Sequence, residues 1–138
     1  YIQIYPFSGG AFGTKFANPG TALTASGRSV SFNHAGDAVV VGHGTSPYLG
    51  AYQWSGAGWG TKYSNAATLP NASVYETNFS DDDAYVVIGW GATPYTRVYP
   101  WTYASGFGTA IVNAVGKCPL WISVVLLCVV EALQVWPR

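Results

Sequence analysis

The chain has 138 residues, one domain's worth at about 150 residues per domain, and 49% of them are hydrophobic, which excludes general disorder. Six Lys plus Arg balance six Asp plus Glu, and only 9% of residues are charged, so the basic footprint that nucleic acid or anionic lipid requires is missing. Seventeen Gly, ten Tyr and six Trp, with few Lys and Glu, favour strands joined by tight turns and exclude the helical classes.

From Tyr1 the chain repeats itself. A shift of 47 positions lays Tyr1, Tyr5, Ser8, Gly9 and Gly13 on Tyr48, Tyr52, Ser55, Gly56 and Gly60, and the match runs on without a gap to 17 identities in 47 pairs. A third copy begins at Tyr95, where Tyr99 and Trp101 repeat Tyr52 and Trp54, and after one inserted residue Phe107 repeats Trp59. Within the unit, residues 29–33 alternate small or polar with apolar side chains and read as a first strand, closed by a Gly/Asp-rich turn over 34–37. Residues 38–42, AVVVG, form the continuous β-branched run expected of a second strand buried on both faces. Past a turn over 43–47, residues 48–54 give a third strand with Tyr48, Gly50, Tyr52 and Trp54 expected on one face. Residues 59–63 supply a shorter, more polar fourth strand suited to an edge. In the next unit, 76–80 and 86–88 take the first two strand positions, so Val40 and Val87 are expected deep between neighbouring sheets.

The series Val30, Phe32, Asn33, Gly36, Asp37, Val39–Val41, Gly42 and His43, ending in Tyr52 and Trp54, resembles the repeats of WD-repeat-like β-propellers of the looser bacterial and viral type. The resemblance covers residues 1–114. It implies an all-β fold of antiparallel four-stranded blades. Two departures stand out: Asp81-Asp82-Asp83 occupies the turn filled by His34-Ala35-Gly36, and Trp54-Ser55 replaces the family's Trp-Asp dipeptide. Propellers close with about four to eight blades, whereas about two and a half are present here. The expectation is a fragment of a larger microbial or phage protein, with a ring of several copies of this chain as the alternative. The absence of methionine, which makes Tyr1 no initiator, points the same way.

Residues 115–138 fall out of repeat register and form an apolar tail. Its uninterrupted stretch between Lys117 and Glu131 is 13 residues, short of the roughly 20 a spanning helix needs, so a membrane partner is not expected. A slipped reading frame explains the lost register better than an anchor does. Cys118 and Cys128, both in this tail, carry no redox assignment.

Candidate binding residues lie on the loops after the second strands: His43, Thr45 and Ser46 in one unit, Trp90 and Thr93 in the next. Trp90 is read as a flat platform on which a sugar or peptide could stack; for His43 the competing reading is a residue that ties its own loop down. Asp81, Asp82 and Asp83 read as a solvated hairpin turn, because three successive carboxylates cannot all face one ion. No nucleophile elbow, phosphate cradle or zinc spacing is present in the sequence, and no metal or other cofactor is expected. The function expected is a non-catalytic propeller module acting as a binding or structural platform. Its partners would be a protein or carbohydrate ligand, further blades, or a second copy of itself, and not nucleic acid. The alternative is part of a propeller enzyme, quinoprotein-like or lactonase-like, whose catalytic residues lie in other blades.

Overall fold

A computed structural model describes residues 2–111, in which every regular element is a strand. In chain order these are β1 (Phe7–Ser8), β2 (Ala11–Phe12), β3 (Gly27–Phe32), β4 (Ala38–His43), β5 (Leu49–Trp54), β6 (Trp59–Lys62), β7 (Val74–Phe79), β8 (Tyr85–Trp90), β9 (Thr96–Thr102) and β10 (Gly106–Phe107). They pair as one two-stranded hairpin, β1-β2, and two four-stranded antiparallel meanders, β3-β4-β5-β6 and β7-β8-β9-β10. The all-β class expected from the sequence is the class observed.

Local chemistry accounts for these elements. β4 carries AVVVGH and is buried along its whole length, since stiff β-branched side chains fill both faces of an inner strand. The turn before it is held by Asn33, whose Oδ1 accepts hydrogen bonds from the Asp37 and Ala38 amides at 3.0 and 2.8 Å, while Gly36 supplies a φ of 71°. Asn33 therefore caps the turn instead of ending the strand. In the β7–β8 turn the same work is done by Ser80, whose Oγ accepts the Tyr85 amide at 3.0 Å. The β1–β2 hairpin turns on Gly9 and Gly10, with φ of 58° and 79°, the positive pair that a two-residue turn requires.

The sequence repeat is a structural repeat. Phe16 donates its amide to the Ile4 carbonyl at 3.0 Å, Tyr63 to Ala51 at 2.9 Å and Ile111 to Val98 at 2.8 Å. Phe7 lies opposite Phe12, Trp54 opposite Trp59 and Trp101 opposite Phe107, with ring centroids 5.1, 5.7 and 5.2 Å apart. Around the third-strand Trp of each four-stranded sheet an edge-to-face cluster forms. Trp54 meets Phe16 and Phe32 at 5.1 and 5.7 Å, and Trp101 meets Tyr63 and Phe79 at 4.9 and 5.3 Å. Such pairs add about 0.5–1.5 kcal/mol each beyond the area they bury.

Two cores result. Val39, Val41, Tyr52 and Trp54 face the first unit, packing with Ile2, Ile4 and Phe16. Ala38, Val40, Leu49 and Ala51 face the other way and pack with Val74, Val86, Ile88, Tyr99 and Trp101 of the second sheet. The initial strands β3 and β7 lie side by side. β4 also approaches β7, and Gly42 permits it, because a Cβ there would come within 2.5 Å of the Val74 side chain. One face assignment needs correcting. Tyr48 does not share a face with Tyr52 and Trp54: it sits in the turn at φ 63° and packs on the opposite core. The tail expected over 115–138, with its frame-slip and cysteine readings, lies outside the described residues.

Candidate functional site

His43 and Trp90 occupy equivalent positions at the ends of β4 and β8. Each donates its amide to a tyrosine carbonyl at 2.9 Å, Tyr48 and Tyr95 respectively, and those tyrosines take φ of 63° and 68° to close the loops. The side chains do not face solvent. His43 is 1% exposed and Trp90 2%, and the Arg97 guanidinium lies over the Trp90 ring at 4.5 Å. The open platform expected at Trp90 is therefore corrected: the indole is a core residue roofed by an arginine. Thr45, Ser46 and Thr93 remain exposed. Thr24 Oγ1 lies 3.4 Å from Thr45 Oγ1 and donates to the Ser46 carbonyl at 3.1 Å. No hydrogen bond among the described residues links Thr93 to that group.

Burial lowers the pKa of the His43 imidazole, the Lys62 charge acts in the same direction, and a backbone interaction with Thr45 partly opposes them. A lowered folded-state value means that the unfolded chain binds the proton first as pH falls. Stability should be unaffected by His43 above its ordinary pKa of 6.5 and should decline below it. Urea midpoints measured from neutral to mildly acidic pH should show this decline, and His43→Leu should flatten it.

The Asp-rich turn has two jobs. Asp82 accepts from Ser80 Oγ at 2.6 Å and from the Ala84 amide at 3.0 Å, bonds that hold its exposed carboxyl below the ordinary range. Asp83 instead reaches the neighbouring sheet. Its carboxylate accepts from the His34 amide at 2.6 Å, the Ala35 amide at 2.8 Å and Asn33 Nδ2 at 3.2 Å. Only part of the turn is thus simply solvated. Asp83 stands at the position of Gly36 and takes φ 56°, and that alignment is the signal by which it could have been singled out.

A concavity lies between the first unit and β5–β6. It is a cavity of about 270 Å³ walled by Leu23, Tyr52 and Trp59, with Gln3, Lys15 and Asn18 among its polar lining. Lys15 donates to Asn18 at 3.3 Å, as Lys62 does to Asn65 at 2.7 Å in the next unit. The Tyr52 hydroxyl is engaged with the Thr21 carbonyl at 2.9 Å, and burial raises its pKa. Tyr99 makes the same bond to Thr68 at 2.8 Å.

One difference between the two junctions bears on the cavity. In the second, Arg97 donates to the Leu69 carbonyl at 3.0 Å and so occupies the space beside Tyr99. In the first, the residue equivalent to Arg97 is Gly50, and a Cβ there would sit 3.4 Å from Leu23 and 3.7 Å from Tyr52, two of the cavity's walls. Sequence reasoning missed this site, although the Gly50/Arg97 exchange is visible in the aligned repeats.

Among the described residues no group of three or more His, Cys, Asp or Glu is placed to hold a metal ion, and no helix is long and apolar enough to cross a membrane. A scan against protein-family models finds no match to the chain, and a search of curated proteins finds no relative.

Proposed function

We propose that the chain is a non-catalytic repeat module of β-propeller type, its four-stranded sheets being blades, and that it serves as a binding platform with the junction cavity as its ligand seat. One observation carries the reading. The same inter-unit junction is built twice, yet it is filled by Arg97 in one case and left open by Gly50 in the other. An aromatic wall with amide and ammonium groups among its lining suits a small neutral hydroxylated ligand such as a monosaccharide, whose apolar ring face meets Trp59 while its hydroxyls meet Gln3, Lys15 and Asn18.

The test is a titration of the full chain with a panel of monosaccharides, followed by tryptophan fluorescence. At least one sugar should give a saturable change with a Kd on the order of 1 mM, about −4 kcal/mol. Gly50→Arg, which reproduces the filled junction, should remove the response, while Gly50→Ala should largely keep it. Binding unaltered by Gly50→Arg, or no saturable change with any sugar, would count against this site.

A further inference from the structure

The described residues present both halves of a junction that they do not assemble among themselves. Inside the chain the pattern is explicit. The aromatic residue following one unit's last strand seats edge-on against the third-strand Trp of the next unit, as Phe16 on Trp54 at 5.1 Å and Tyr63 on Trp101 at 4.9 Å. Phe7 is the first unit's counterpart of Trp54 and Trp101, paired with Phe12 as they are with Trp59 and Phe107. It is 64% exposed and Phe12 is 76% exposed. Ile111 is the counterpart of Phe16 and Tyr63, holding the same backbone hydrogen bond, and it is 44% exposed. Among the described residues these two surfaces do not meet.

We infer that the Phe7–Phe12 face of one chain docks on the Ile111 end of a second copy, head to tail, continuing the junction already present twice within the chain. Such a contact is heterologous: each copy offers a different surface, so association either closes into a ring or continues. Net charge of zero removes the long-range repulsion that would oppose it. The inference rests on reading the sheets as successive units of one propeller-like architecture. It takes as occupant a chain that carries the matching half at the matching register.

Sedimentation velocity on the full 138-residue chain, over a wide concentration range, tests it together with Phe7→Asp and Ile111→Asp. Both residues are exposed, so near-ultraviolet circular dichroism should match the unmodified chain, and Phe12→Asp serves as a second head variant. The unmodified chain should gain mass with concentration, and each variant alone should remain monomeric. An equimolar mixture of Phe7→Asp and Ile111→Asp should form a dimer and nothing larger, because together they retain one intact junction. An unmodified chain that stays monomeric, variants that associate as it does, or a mixture that stays monomeric would overturn the inference. A monomeric chain that still binds sugar through the Gly50 cavity would overturn this inference alone and leave the ligand-seat reading standing.

Discussion

Val40→Asp is expected to abolish the cooperative fold. Val40 is fully buried in the second strand of its sheet, on the face that packs against Val86, Ile88 and Trp101. No cation among the described core residues could pair with a carboxylate there. An unpaired buried charge costs several kcal/mol, and the whole stability of a domain of this size is about 5–15 kcal/mol. Val30→Asp is the control: it lies one strand away in the same sheet, about half-exposed, and should change stability by no more than about 1 kcal/mol. Urea unfolding followed by tryptophan fluorescence distinguishes the two. A Val40→Asp chain with an unaltered midpoint would mean that the sheets are not stacked as described.

Asp83→Ala is expected to be the most damaging substitution at an exposed turn, at about 2–4 kcal/mol. Two effects add. The carboxylate's bonds to Asn33, His34 and Ala35 are lost, and hydrogen bonds to charged groups are worth about 1.5–3 kcal/mol each before solvent exposure reduces them. Alanine must also hold φ 56°, a left-handed conformation that costs about 1–2 kcal/mol. Asp83→Gly separates the contributions, because it copies Gly36 and removes only the bonds. Its loss should be smaller than that of Asp83→Ala by about the conformational cost. Equal stability of all three chains would deny the aspartate any role between the sheets.

Much of this architecture was legible in the residues. The AVVVG and VVIG runs, the Gly/Asp turns and the constant spacing mark strands and order because those signals are local and periodic. What stayed hidden depends on contacts between distant residues. Asp83 reads as part of an acidic turn until His34, 49 positions earlier, is seen to donate to it. Trp90 reads as a loop aromatic until Arg97 closes over it. Tyr48 fits the strand alternation but is turned out of it by a positive φ that no periodicity encodes. The cavity is subtler still: it arises where Gly50 lacks the side chain that Arg97 brings to the next junction, a difference meaningful only once the two junctions are known to be equivalent.

The stacking of one sheet on the next, joined across a defined seam, is most directly examined by amide hydrogen exchange at His34 and Ala35. Both residues lie in an exposed turn, and their amides are satisfied only by the carboxylate of the neighbouring sheet. Both amides should be protected in the unmodified chain. In Asp83→Gly they should exchange freely, while the Asp37 and Ala38 amides, held by Asn33 within their own turn, stay protected. Free exchange at His34 and Ala35 in the unmodified chain, with Asp37 and Ala38 still protected, would show that Asp83 does not reach across to the neighbouring turn and would contradict the seam between the two sheets.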